Sequence, residues 1–357
     1  MNAKIITCHY AYNYGAVLQT YALCSYLNTQ GLDTKVINYR PWYYKGSTSK
    51  KNKVRMIIRR LVRIPDNYKS ERVFTNFLRN WIPLTDEYKT YEELESSGLV
   101  ADYFIAGSDQ IWNLNLPNGM DRAFYFDFVK NGKLISYAAS LGMDDLNDEQ
   151  RNYLLNCISR FDEVSVRENT AKNLLKSNKN IEVVMDPVYL LSATDWKKLE
   201  TKPSVYPDGK YVLVFAFNRQ KEIFEFSKEL AKKYGYKVIS VNTFWEDAFN
   251  NLDHYYWNCT PNQFLYLLSH AECIVTNSFH GLSFSLIYNR PVILFQKNDN
   301  GNSRMLDLIQ RIDAVEVLQQ KYKKMIEIPQ LDFEKINNAM ERERSKSIEF
   351  LRRALSI

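Results

Sequence analysis

Short apolar runs that end in small polar residues alternate along this chain with longer amphipathic stretches. Residues 4–8 read as a strand, 9–15 as a polar, aromatic turn, 16–30 as a helix stopped at Gly31, and 34–39 as the next strand. Strand, turn, helix, strand is how a doubly wound parallel sheet begins. Further strands are expected at 103–106, 134–138, 163–166 and 183–185, with helices at 70–80, 149–158 and 170–175. Residues 200–210 carry Pro203, Pro207 and Gly209 and read as a linker. The pattern then restarts with a strand at 211–215, a helix at 221–234, a strand at 237–241, and a helix opening at Thr260-Pro261, where proline takes the favoured first position. Strands at 273–275 and 291–295 and a long charged helix at 332–356 complete it.

At 357 residues the chain exceeds the size at which one core stops growing, so two domains are expected. The reading is α/β, with Rossmann-like domains over 1–200 and 210–330 facing a cleft, and a helix at 331–357 returning to the first. Every polar corner falls at the end of an expected strand, and parallel sheets place those ends on one face, where ligands bind. The corners supply His9, Asn13 and Gln19; Ser108, Asp109 and Gln110; Ser140; Arg167; Asp186; Ser278 and His280; Asn302 and Arg304. Acids, an imidazole and two arginines suit the handling of a phosphate or carboxylate.

The sharpest corner is Thr276-Asn277-Ser278-Phe279-His280-Gly281, between a buried strand and a helix start. A helix N-terminus there offers N–H groups to an anion, and one of only four histidines stands ready to exchange a proton. Asn13-Tyr14-Gly15-Ala16 lacks both GxGxxG and GxxxxGK[ST], so a dinucleotide or ATP site is poorly supported. Spacings for metal ligation and for a GxSxG elbow are absent. Asp109 equally suits a helix cap, Asp186 a turn before Pro187, and Trp112 or Tyr14 either stacking on a sugar or plain packing.

The net charge of +6 is concentrated between Lys45 and Arg72, where Lys50, Lys51, Lys53, Arg55, Arg59, Arg60 and Arg63 interleave with apolar residues. Such a basic amphipathic helix suits peripheral contact with an anionic membrane or a phosphorylated substrate. Its plainer reading is a solvated helix packed on its own domain. No nucleic-acid-reading module accompanies it. Five scattered cysteines without CxxC suggest reduced thiols, and the strand-like start leaves no room for a signal peptide, so a cytoplasmic protein is expected.

Taken in order, Asn13-Tyr14-Gly15-Ala16 with Gln19, Gly107-Ser108-Asp109-Gln110-Ile111-Trp112-Asn113, Ser136–Ser140, Ser165-Val166-Arg167-Glu168, Asp186-Pro187, Thr276–Gly281 and Asn302-Ser303-Arg304 resemble the polysaccharide pyruvyl transferase family. The resemblance implies a GT-B-like fold and transfer of a pyruvyl group from phosphoenolpyruvate, as co-substrate without further cofactor, to a sugar of a surface or capsular polysaccharide precursor. It places the catalytic histidine at His280 and the donor-binding arginine at Arg167. Some branches carry arginine two residues before the histidine, where this chain has Ser278, so Arg304 or Lys297 is the candidate to supply that charge. Asp109 is the candidate base. Asn277, Ser278 and Arg304 are expected on the donor side, in the second domain. His9, Asn13, Tyr14, Gln19, Gln110 and Trp112 are expected around the acceptor, a sugar or lipid-linked saccharide at the inner membrane face. A nucleotide-sugar glycosyltransferase and a non-catalytic saccharide-binding assembly factor are the competing readings.

Overall fold

The computed structural model describes residues 1–45, 63–218, 220–297, 301–319 and 326–357. Two wholly parallel sheets organise them. The first comprises β1 (Asn2–Ile6), β2 (Asp33–Tyr39), β3 (Leu84–Tyr88), β4 (Tyr103–Ala106), β5 (Lys133–Ala139), β6 (Glu163–Val166) and β7 (Ile181–Val183), in spatial order β3-β2-β1-β4-β5-β6-β7. The second comprises β8 (Tyr211–Phe215), β9 (Lys237–Asn242), β10 (His254–Trp257), β11 (Cys273–Thr276) and β12 (Val292–Leu294), in order β10-β9-β8-β11-β12. In each sheet the order reverses beside the first strand, β1 or β8, which makes a topological switch point of the kind where such folds bind ligands.

Local chemistry explains the elements that frame those points. Central strands such as β4 and β8 are buried along their whole length, as near-continuous apolar runs covered on both faces must be. Asn13 caps the helix Tyr14–Thr29, its Oδ1 accepting from the N–H groups of Gly15 and Ala16. Thr260 and Gln263 form a capping box at the helix Pro261–Ser269. The two strands absent from the sequence reading, β3 and β10, are edge strands; β3 reads LTDEY and carries no apolar alternation to betray it. The helix expected at 70–80 starts earlier, at Ile64. Most of the basic stretch expected to meet a membrane, residues 46–62, lies outside the described residues.

The two sheets share packed hydrocarbon. Tyr14 stacks on Phe264 at 4.6 Å between ring centroids, and its hydroxyl donates to the Cys259 carbonyl at 3.0 Å. The helix Ile64–Trp81 reaches across as well: Asp66 accepts from the Trp245 N–H and from the Trp257 indole, and Ser70 donates to Asn258. The C-terminal helix Phe333–Leu355 lies against the first sheet, where Tyr103 donates to the Leu355 carbonyl and Arg353 pairs with Glu182 of β7. All five cysteines are free thiols. Among the described residues no helix is long and apolar enough to cross a membrane.

Candidate active site

The carboxyl ends of β4, β5, β6 and β7 converge with the starts of two second-domain helices, Phe279–Ile287 and Ser303–Arg311. Asp186, just beyond β7, is the hub. Its Oδ2 accepts from Arg167 Nη1 at 2.6 Å and from the Ser108 hydroxyl at 2.8 Å, and it lies 3.6 Å from Nε2 of His280. Its Oδ1 accepts from the Val188 N–H, so the residue also organises the turn that its Asp-Pro sequence suggested. Burial would push this carboxyl up, but the His280 imidazole and the Arg167 guanidinium together outweigh it and hold the group well below the ordinary carboxylate range.

Arg167 is 3% exposed and lies over the Phe279 ring, with 4.3 Å from Cζ to the centroid. Burial opposes its charge, yet Asp186, Glu168 and Asp109 more than compensate and raise its pKa. Glu168 is itself tied down, its Oε1 accepting from the Ser140 hydroxyl and the Leu141 N–H. Arg304 is 7% exposed at the start of its helix, and with the Gln110 amide oxygen turned toward it both Nη atoms donate there, at 3.1 and 3.2 Å. Burial and then the positive charge of Arg167 push its pKa down. Two guanidinium groups therefore share one enclosed region. Among the described residues, Nε and Nη2 of Arg167, Nε of Arg304 and Nε2 of His280 have no hydrogen-bond partner. A buried cation with unused donors is costly unless an anion completes it.

His280 is 7% exposed and is aimed at polar groups and at the backbone of Gly15 rather than into hydrocarbon. Ser278 caps its helix, with Oγ accepting from the Gly281 N–H. Asp109 is half-buried with φ of 75°, a left-handed conformation uncommon for a non-glycine residue, and its Oδ1 accepts from the Gln110 N–H. Thus His280, Arg167, Arg304, Gln110 and Asp109 come together.

Several expected contacts do not join them. Trp112 is wholly enclosed, stacked on Tyr125 and edge-on to Phe161, so neither indole face is open to a sugar. Gln19 is fully buried and spends its amide N–H groups on Thr7, Ala16 and Thr20. Tyr14 is 2% exposed and joins the two sheets. Asn277 is committed to the Phe217 backbone and the Gln220 side chain. His9 is 1% exposed with Nδ1 against the Thr7 carbonyl, and burial lowers its pKa to about 4. Asn13 acts as a helix cap, although the glycine it helps to place adjoins His280. Packing demands claimed these side chains, and those demands leave no mark in a local motif. The sequence reading named Asp186 and Ser108 at strand ends without giving Asp186 its central role, and assigned no contribution to Glu168 or Phe279. Its one available signal was a carboxylate ending the apolar run 183–185. Among the described residues no group of three or more His, Cys, Asp and Glu is disposed to hold a metal ion.

Two parallel α/β domains with a polar site at their strand ends define a GT-B-like enzyme fold. Solved structures share it: a proposed UDP-N-acetylglucosamine 2-epimerase of Listeria monocytogenes matches with a TM-score of 0.52 at 14% identity, over 97% of this chain and 90% of its own. The UDP-GlcNAc 2-epimerase of Methanocaldococcus jannaschii matches with a TM-score of 0.51 at 14% identity, over 96% and 92%. No curated protein matches the chain. The chain belongs to the polysaccharide pyruvyl transferase family, whose family model matches residues 13–296.

Proposed function

We propose that this protein transfers the pyruvyl group of phosphoenolpyruvate to two hydroxyls of a sugar in a polysaccharide precursor, forming a cyclic ketal and releasing phosphate. One observation carries the reading beyond family membership. Arg167 and Arg304 are buried close enough for one to depress the pKa of the other, and among the described residues both keep unfilled N–H donors. Phosphoenolpyruvate presents a carboxylate and a phosphate, the two groups a guanidinium grips bidentately. Seating that anion between the arginines would remove their mutual repulsion and fill their donors. Arg304 then supplies the charge that Ser278 does not.

The chemistry follows from these positions. Protonated His280 delivers its proton to the terminal enol carbon, leaving positive charge at the carbon that bears the phosphate. Asp186, held ionised beside it, stabilises the imidazolium before transfer. One sugar hydroxyl bonds to the cationic carbon and loses its proton to the now neutral imidazole, with Asp109 as the alternative base. The carbon–oxygen bond to phosphate breaks with its electron pair going to phosphate, whose charge the two arginines take up. The second hydroxyl bonds to the oxocarbenium carbon so formed and closes the ring, its proton passing to the departing phosphate. No electrons change hands between reactants, so the proposal includes no redox cofactor. The precursor is a free or lipid-linked saccharide met in the cytoplasm.

The test is phosphate release from phosphoenolpyruvate with galactosyl, mannosaminyl and glucosyl acceptors, beside thermal shifts with phosphoenolpyruvate and with nucleotide sugars. Stabilisation by phosphoenolpyruvate and acceptor-dependent release lost in His280→Ala are expected. Stabilisation by a nucleotide sugar alone would overturn the reading in favour of a glycosyltransferase. Binding of saccharide without turnover of either donor would favour an assembly factor.

A further inference from the structure

The helix Ser303–Arg311 carries Arg304 in its first turn and Arg311 about two turns later, on the same face. Arg311 Nη1 donates to the carbonyl oxygen of Arg167 at 3.2 Å, and Asp307 accepts from both the backbone and the side-chain N–H groups of Asn169. This one helix therefore holds Arg304 and grips the backbone on either side of Glu168. Arg311 is held in turn by Glu343 of the C-terminal helix, which accepts from Nε at 2.8 Å and from Nη2 at 2.5 Å. One turn further on, Ser347 of that helix accepts from the N–H of Met185, the residue before Asp186, at 2.8 Å.

We infer that Glu343 and Arg311 are positioning residues, which set the spacing of the two guanidinium groups through a brace outside residues 13–296, the span that matches the family. The chain of contacts runs from Glu343 to Arg311, then to the Arg167 carbonyl and, along the helix, to Arg304. Ser347 fixes the Asp186 end of the same constellation. Both brace side chains are mostly buried, at 13% and 14% exposure, so solvent screens the pair little. Elsewhere on the C-terminal helix, the exposed Arg353 pairs with Glu182 and Glu163, on β7 and β6, away from the Glu343–Arg311 pair. Arg353→Ala thus removes a docking contact of the same helix without touching the brace.

The inference rests on the proposed donor site, and two readouts separate their fates. The first is independent of substrate: the Nε–H resonance of Arg167 in the full-length protein, assigned by its absence in Arg167→Lys. In Glu343→Ala and Arg311→Met this resonance should broaden or exchange with solvent at least tenfold faster, and Glu343→Gln should restore part of the protection. Arg353→Ala should leave it unchanged. The second is steady-state kinetics, where KM for phosphoenolpyruvate should rise about tenfold in Glu343→Ala with kcat changed less than threefold. Unchanged exchange in Glu343→Ala, or an equal loss of protection in Arg353→Ala, overturns the brace. A wild-type protein that neither binds nor consumes phosphoenolpyruvate overturns the donor assignment, while the Arg167 resonance still decides the brace.

Discussion

A Cβ on Gly15 would lie 2.0 Å from Nδ1 of His280. The first turn of the helix Tyr14–Thr29 thus meets the imidazole of the other domain backbone to ring, in a space that no side chain can share. Gly15 earned no functional reading from the sequence because its backbone conformation is ordinary; its role appears only across the domain junction.

Gly15→Ala must therefore displace the imidazole from its present place beside Asp186. Misplacing a reacting group by about 1 Å costs on the order of a hundredfold in rate, and that loss in kcat/KM for phosphate release is expected. The accompanying overpacking should cost about 1–3 kcal/mol in urea unfolding. Wild-type kinetics in this variant would mean that the imidazole's place is not critical.

Asp186→Asn leaves Arg167 buried without its nearest counter-charge. Breaking such a pair by removing one partner costs about 3–5 kcal/mol, and denaturant unfolding at neutral pH should show a loss near the lower figure. Because the folded-state pKa of Asp186 is depressed, its contribution is present above the ordinary unfolded value and is lost only as pH falls through the folded one. The difference between wild type and variant should accordingly persist at pH 5. A difference that vanishes by then contradicts the assignment.

Arg304→Met should separate stability from function. The guanidinium is buried beside a second cation, so replacing it with a side chain of similar length should leave the melting temperature unchanged or raise it. The thermal shift produced by phosphoenolpyruvate should nevertheless fall at least tenfold in apparent affinity. Loss of melting temperature with full retention of that shift would place the donor elsewhere.

His9 supplies an acid-sensitivity that is independent of the site. Its pKa falls from 6.5 to about 4 on burial, so below pH 6.5 the unfolded chain takes up a proton that the folded chain refuses. Stability from this group is complete above 6.5 and declines as pH falls toward 4, by roughly 2 kcal/mol between pH 7.5 and 5. Between pH 7.5 and 5 the stability of wild type relative to His9→Gln, from urea midpoints, should fall by about that amount. Parallel curves would show that His9 titrates normally.

Much of the fold was legible because central parallel strands announce themselves. The segments 103–106 and 211–215 coincide with β4 and β8, since strands covered on both faces are continuously apolar. Edge strands β3 and β10 escaped because one side needs no such covering. At the site, the motif residues Arg167 and His280 lay where strand ends put them. The misreadings were Trp112, Gln19, Tyr14 and Asn277, all polar-tipped residues beside functional turns. Each donates its N–H or O–H groups inside the protein, and only three-dimensional packing distinguishes that use from ligand contact. Asp186 was seen but undervalued, because a turn-forming aspartate and a charge hub look alike in one dimension.

The stacking of Tyr14 on Phe264 also bears on how the molecule comes apart. An aromatic plug shared by both lobes couples the unfolding of one to that of the other. Heating should produce a single calorimetric endotherm, and nicking the chain near Pro203 should leave the two fragments associated until they melt together.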